Sequence, residues 1–223
     1  MNGRPEDSGD LRSAVISTAR AMNASGINVN KSGNVSARCQ RGDRAGFLLT
    51  PTGVPYDQLD TEDIVFVDNE GRATGRCKPS SEWRFHASIY AARDDFDAIV
   101  HTHSPHATAL ACQGLAIPSF HYMVAVAGGS DIRCADYATF GTQQLADNAV
   151  TALAARRACL LAHHGVIACG ASLQAAFSLA VEIENLARTY VLVRSLGEPR
   201  LLDAAEMERV VQRFATYGQP HRA

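Results

Sequence analysis

The chain has 223 residues, 46% hydrophobic and 20% charged, the composition of an ordinary globular protein rather than of a disordered or collagen-like one. Its 21 Lys+Arg and 23 Asp+Glu leave a formal net charge of -2 with no long basic block, which argues against nucleic acid or an anionic membrane surface as partner. No stretch approaches the roughly 18–20 apolar residues of a membrane span, and the polar segment Met1–Asp10 lacks the apolar core of a signal peptide. The six cysteines are scattered without a C-x-x-C pair and read as small buried hydrophobes of a reducing compartment. A cytoplasmic protein of one domain is expected.

Residues 1–9 read as a flexible tail, leaving a single domain over residues 10–223. Leu11, Ala14, Val15, Thr18, Ala19 and Met22 recur at helical spacing, and Gly26 stands where that helix would stop. Short strands are expected over 34–38, 46–49 and 64–68, the last followed by the turn Asn69-Glu70-Gly71. Pro79-Ser80-Ser81-Glu82 opens a helix running from Trp83 to about Ala92. Ala98–His103 is an apolar strand ending in His-Thr-His, and residues 105–113 are helical up to Gly114. A strand is predicted over 121–127, a helix over 142–156, and a buried strand over 158–162 that runs into His163-His164-Gly165. A long Ala-rich helix, 172–196, and a last helix, 203–217, complete the chain. Several strands lie too close together for crossover helices. The fold class is therefore α/β of the α+β type, a single domain with a largely antiparallel central sheet flanked by helices.

His101-Thr102-His103 places two imidazoles at i and i+2, on one side of a strand. Neutral imidazole is a good ligand for Zn²⁺, but an isolated pair of this kind is also compatible with simple hydrogen bonding. His163-His164-Gly165 follows a second apolar strand, so two strand ends could converge on one ion. Only one of two adjacent histidines on an extended strand can face it, which leaves the other a bland role. Three histidines leave a fourth position open, as in catalytic rather than structural zinc sites. Ser80-Ser81-Glu82 reads either as a capping cluster or as an anion site at a helix start. In the second reading Glu82 is free to serve as metal ligand or base. Ser32–Ser36 and Thr50–Gly53 have the composition of phosphate-cradling nests, although ordinary turns use the same residues. Tyr122 and Tyr217 are phenols able to transfer protons or simply to pack. His86 and His106 fall in helical segments and read as structural or surface residues.

SGNVS at 32–36, TPTG at 50–53, PSSEWRFH at 79–86, HTH at 101–103, IPSFHYM at 117–123, AGG at 127–129, YATFGT at 137–142, HHGVIACG at 163–170 and TYG at 216–218 together resemble the class II aldolase/adducin superfamily. Within it, they look most like the aldolases that act on L-fuculose 1-phosphate. The resemblance spans about residues 10–218 in the family's order and spacing.

It implies a zinc ion, one per subunit, held by His101, His103 and His164 with Glu82 as fourth ligand at rest. It implies a substrate phosphate among Asn34, Thr52, Gly53, Ser80 and Ser81, with Gly33 shaping the first loop and Phe140 lining the pocket. It further implies a homotetramer with active sites between subunits, Tyr122 acting across the interface and Tyr217 closing the site from the C-terminal segment, where the match is loosest.

The implied reaction is cleavage of C3–C4 in a deoxyketose 1-phosphate, giving dihydroxyacetone phosphate and an aldehyde such as L-lactaldehyde. The chain has only Lys31 and Lys78, neither in an apolar run suited to a Schiff base, so the charge that develops calls for a Lewis acid. Glu82 would move the proton at carbon and Tyr122 the proton on the aldehyde oxygen. Relatives with the same site chemistry include aldolases for 5-methylthioribulose or 5-deoxyribulose 1-phosphate, epimerases, dehydratases and non-catalytic adducin-like proteins. The intact histidine set with Glu82 argues against the last of these.

Overall fold

A computed structural model of the protein describes residues 3–215. The strands are β1 (Asn34–Arg41), β2 (Arg44–Leu49), β3 (Val65–Asp68), β4 (Ala73–Thr74), β5 (Ala98–Thr102), β6 (Cys134–Ala135), β7 (Ala158–Leu161) and β8 (Gly165–Gly170). The helices are α1 (Gly9–Ala24), α2 (Trp83–Ala92), α3 (Pro105–Cys112), α4 (Gln143–Ala152), α5 (Leu173–Leu196) and α6 (Ala204–Ala215). The strands form one sheet in the order β4-β3-β2-β1-β5-β8-β7-β6. Every neighbouring pair is antiparallel except β6 with β7, so the expected sheet type is the one observed.

Both faces of the sheet are covered. Val35, Ala37, Val100, Val166 and Ala168 face a core shared with α1, α3 and α5, while Phe47, Leu49, Ile99, Ile167 and Cys169 face one shared with α2 and α4. This double burial explains why the strand sequences read as continuous apolar runs rather than as alternating ones. Each fully buried Phe, Ile or Leu contributes about 1.5–3 kcal/mol to that packing.

Three expectations are corrected. Tyr122–Ala127 is a 3-10 helix rather than a strand. His121 caps it by accepting from the Met123 backbone N–H at 3.2 Å, and Gly128 ends it at φ +91°. The run buries Val124, Ala125 and Ala127 by turning over the core. The segment expected to be a loose tail is fastened over residues 4–8. Gln40 N–H donates to the Pro5 carbonyl and Asp7 N–H to the Gln40 carbonyl, Asp7 holds Arg12 through two bonds of 2.6 and 2.7 Å, and Ser8 caps α1. Finally, β8 forms a strand after the histidine pair where none is predicted, so His163 and His164 sit in the short turn of a hairpin rather than on an extended strand.

Candidate metal centre and active site

Four side chains from three separate parts of the chain meet at the β5 and β7–β8 ends. Their ligand atoms, one each from Glu82, His101, His103 and His164, all lie within 4.8 Å of one another. His101 Nε2 is 3.1 Å from His103 Nε2 and 3.2 Å from Glu82 Oε2, and His164 Nε2 is 3.1 Å from Glu82 Oε1. The three imidazole rings stand edge to face, with centroids 4.9–5.0 Å apart.

The local folding that builds this cluster is readable residue by residue. His101 is on β5 and His103 lies one residue beyond the strand's end. His164 closes the three-residue turn between β7 and β8, and Leu161 pairs with Gly165 across that turn. The tip, His163, takes φ +53°, a left-handed conformation that costs a non-glycine residue energy and is common in tight hairpins. Gly165 has to be glycine, because a Cβ there would lie 2.4 Å from the Thr102 carbonyl oxygen. Gly33 is constrained in the same way, since its Cβ would lie 2.3 Å from the His101 carbonyl oxygen. Close approach of β1, β5 and β8 therefore depends on these two positions.

The cluster fits a divalent metal ion. His101 Nδ1 donates to the Val166 carbonyl at 2.9 Å, so its Nε2 carries a lone pair aimed at the centre, the arrangement that orients metal-ligating histidines. Glu82 Oε1 is buried without a hydrogen-bond partner among the described residues. Burial alone would raise the Glu82 carboxyl, but His101 and His164 outweigh it and hold the group well below the usual carboxylate range. Burial, followed by the neighbouring His101 and His164, pushes His103 down to about 3, leaving it neutral and able to coordinate. Three imidazoles and a carboxylate within this span form a donor set suited to such an ion.

A cleft of about 310 Å³ opens onto the cluster, lined by Ser81, Glu82, His103 and His164 together with Tyr137, Ala138, Phe140 and His163. Phe140 is 65% exposed. Of the residues expected around the phosphate, Ser81 reaches the cleft and Ser80 is buried beneath it. Asn34 is buried too, and its Nδ2 donates to Glu82 Oε2 at 2.9 Å and to Ser80 Oγ at 3.2 Å. Thr52 and Gly53 sit on an exposed loop tied to the α2 entrance through Thr52 N–H donating to the Lys78 carbonyl and Ser80 N–H donating to the Thr50 carbonyl. Lys31, dismissed at the sequence level, donates to the Gly53 carbonyl at 2.9 Å and brings a cation to that loop.

Tyr122 is elsewhere, 51% exposed in a separate groove between the 3-10 helix and α6, where it stacks on Phe214 at 6.5 Å. Tyr217 lies outside the described residues.

Two contacts in this region are not specified by sequence reasoning. His86, read as structural or surface, is the former, fully buried and bonded to Asn34. Glu184 of α5 accepts from the His106 and Ala107 backbone N–H groups, both at 3.0 Å. It thereby caps, from another helix, the element that follows the His-Thr-His strand. The four-residue spacing Glu82, His86, Tyr90 was the signal available for the first; nothing local marks the second.

Residues 13–191 match the family model described as the class II aldolase and adducin N-terminal domain. The chain is 53% identical over 208 residues to a 5-methylthioribulose-1-phosphate/5-deoxyribulose-1-phosphate aldolase of Rhodospirillum rubrum, covering 93% of this chain and 92% of that one. It is 44% identical over 209 residues to an L-fuculose phosphate aldolase of Escherichia coli, covering 93% and 95%. Among solved structures, an L-fuculose 1-phosphate aldolase superposes with a TM-score of 0.89 at 39% identity, covering 93% of this chain and 97% of that one. Matched over most of its length and carrying the histidine–glutamate cluster at its sheet end, the chain belongs to the class II aldolase and adducin family and is a lyase of the aldolase type.

Proposed function

We propose that the protein is a zinc-dependent aldolase for 5-deoxypentulose 1-phosphates. It would cleave 5-deoxyribulose 1-phosphate or its 5-methylthio analogue to dihydroxyacetone phosphate and the corresponding two-carbon aldehyde. The observation that carries the aldolase reading is the convergence of Glu82, His101, His103 and His164 within 4.8 Å at the floor of a cleft. The higher identity to the Rhodospirillum rubrum relative than to the Escherichia coli one supports the pentulose substrates over L-fuculose 1-phosphate.

His101, His103, His164 and Glu82 would hold the metal. When bound, it supplies a Lewis acid for the negative charge that develops on the ketone oxygen as the bond breaks. Ser81, Ser80, Asn34, Thr52 and Gly53, with Gly33 shaping the loop, are assigned to the phosphate end, and Lys31 adds a cation beside Gly53. Binding the unreactive phosphate fixes the orientation of the reacting carbons. In cleavage, a base takes the proton from the C4 hydroxyl, the C3–C4 bond breaks, and its electron pair stays with the triose half. Glu82, once protonated by way of solvent that takes up the proton released by that base, then delivers a proton to C3. Tyr122, on an exposed ring outside its own chain's cleft, is assigned the hydroxyl proton in a neighbouring subunit of a homotetramer. Phe140 walls the aldehyde end, and Tyr217 is assigned to the closing of the site.

Rates of dihydroxyacetone phosphate release from the two pentulose phosphates and from L-fuculose 1-phosphate test this directly. The pentulose phosphates are expected to have the higher kcat/KM. Preference for L-fuculose 1-phosphate would overturn the substrate assignment and leave the aldolase. No triose phosphate from any of the three, with metal bound, would overturn the aldolase reading in favour of an epimerase or dehydratase.

A further inference from the structure

Behind Glu82 lies a chain of buried polar side chains, of which the proposed reaction uses only Glu82 and Asn34. It alternates between β1 and α2. Asn34 and Ser36 stand two residues apart on β1; Glu82, His86 and Tyr90 follow one another at intervals of four along the α2 entrance and helix. Two strand residues advance about 6.6 Å and four helical residues about 6 Å, so the two series interdigitate. Tyr90 OH and Ser36 Oγ are 2.8 Å apart, Ser36 Oγ and His86 Nδ1 2.7 Å, His86 Nε2 and Asn34 Oδ1 2.6 Å, and Asn34 Nδ2 and Glu82 Oε2 2.9 Å. All five residues are buried, and Phe85 and Phe47 stack on the His86 ring at 4.6 and 6.2 Å.

The chemistry of the groups gives the chain one direction. The Glu82 carboxylate can only accept, so Asn34 presents its NH₂ to it and its carbonyl oxygen to His86. That oxygen can only accept, so His86 carries its proton on Nε2 and leaves Nδ1 bare. Ser36 must then donate to Nδ1 and accept from the Tyr90 hydroxyl. A neutral ring is required throughout, and burial followed by the charge of His101 pushes His86 down to about 3. At the far end the Arg38 guanidinium lies 4.6 Å over the Tyr90 ring and donates to the Tyr90 carbonyl at 2.5 Å.

Resting on the reading of Glu82 as metal ligand and base, we infer that His86 is a positioning residue. Through Asn34 it fixes one oxygen, Oε2, of the Glu82 carboxylate and leaves Oε1 free for the metal or the migrating proton. Were Glu82 to part from a bound metal when substrate binds, Asn34 would still anchor it, and the base would return to one place rather than to many.

The test compares two side chains in the place of His86. In His86→Gln the amide nitrogen can take the place of Nε2 and still donate to Asn34, whereas the shorter side chain of His86→Asn cannot reach it. Removing such an outer partner lowers metal affinity or turnover by roughly 10- to 100-fold. That loss is expected in kcat for His86→Asn, with KM within about threefold, and a weaker zinc dissociation constant is expected by chelator competition. His86→Gln should recover several-fold of both. Nitrogen-15 NMR of the wild-type ring gives a readout free of activity and is expected to show protonated Nε2 and bare Nδ1. The opposite tautomer, wild-type kcat and zinc affinity in a folded His86→Asn variant, or equal losses in both variants would overturn the inference. If His86→Asn fails to fold, Ser36→Ala replaces it: Asn34 still holds the proton on Nε2, but the ring loses its donor at Nδ1, so a fall in kcat is expected, and an unchanged kcat and zinc affinity overturn the inference. Glu82→Gln run alongside separates the two levels. Full activity there defeats the reading of Glu82 as base, whereas an inactive Glu82→Gln beside neutral His86 variants defeats only the role of His86.

Discussion

Glu82 has two carboxylate oxygens in different surroundings. Oε2 is held by Asn34 and lies 3.2 Å from His101 Nε2, while Oε1 is buried 3.1 Å from His164 Nε2, without a hydrogen-bond partner among the described residues. A group needed both as ligand and as base requires this division. Glu82→Gln keeps the shape and the Asn34 side of the contact but removes the charge and the proton acceptor. Turnover should fall by roughly 10²- to 10⁴-fold while the protein still binds metal, and steady-state rates with metal analysis of the same sample check this. Ser81 reaches the cleft from the exposed side of the α2 entrance, so Ser81→Ala should raise KM several-fold and leave kcat nearly unchanged; an unaltered KM would remove Ser81 from the phosphate site. His86 makes a separate contribution to acid stability. In the folded protein burial pushes it down to about 3, against about 6.5 in an unfolded chain. Below about 6.5 the unfolded state takes up the proton first, so stability falls with falling pH, by at most about 1.4 kcal/mol per unit from this one group, until about 3. Urea unfolding of metal-free wild type and His86→Gln at pH 7.5 and 5 should therefore show the smaller acid loss in the variant, and parallel losses would contradict it.

At the scale of elements, the site depends on how closely three strands and one helix entrance approach. A methyl group on Gly165 would meet the Thr102 carbonyl at 2.4 Å and His103 Cδ2 at 3.0 Å, forcing β8 from β5 at the point where His101, His103 and His164 converge. Gly165→Ala should cost about 1–3 kcal/mol of stability and weaken metal binding, as denaturant midpoints and chelator competition would measure. This is also the level at which the sequence was readable in part. Apolar runs and caps place α2 at the residues observed and β5 and β7 to within a residue, because those signals are local. The 121–127 run misleads because its apolar residues fit a strand as well as a turn wrapped on the core. The histidines of 163–164 are assigned to a strand end because β8, a continuous apolar run, carries no alternation to announce it. Glu82, His101, His103 and His164 were legible as chemistry, but their convergence depends on the β1-β5-β8 order, which no local pattern contains. The Asn34–His86 link was hidden for the same reason, since 52 residues separate its two ends.

At the scale of the whole molecule, several aromatic side chains stand exposed at the surface. Tyr137, Phe140 and Tyr122 are 60%, 65% and 51% exposed, and Tyr122 lies outside the cleft that holds its own chain's metal ligands. The shared site of the proposed homotetramer would account for this placement. Sedimentation should then give four times the 23.9 kDa chain mass. Tyr122→Phe and Glu82→Gln subunits, each impaired alone, should regain activity when refolded together, because some sites would combine an intact Tyr122 from one chain with an intact Glu82 from another. Mixed subunits no more active than the separate variants would place Tyr122 outside the reaction or within its own chain's site.

The convergence of three histidines and one glutamate into a metal centre that drives carbon–carbon cleavage is tested most directly by metal removal. Dihydroxyacetone phosphate release from 5-deoxyribulose 1-phosphate is followed before chelation, after it, and after zinc is returned, in parallel with the zinc content of His164→Ala. Cleavage that stops with chelation and returns with one zinc per chain, together with loss of zinc from His164→Ala, is the expected result. Undiminished cleavage by the metal-free protein, or stoichiometric zinc in His164→Ala, would contradict it.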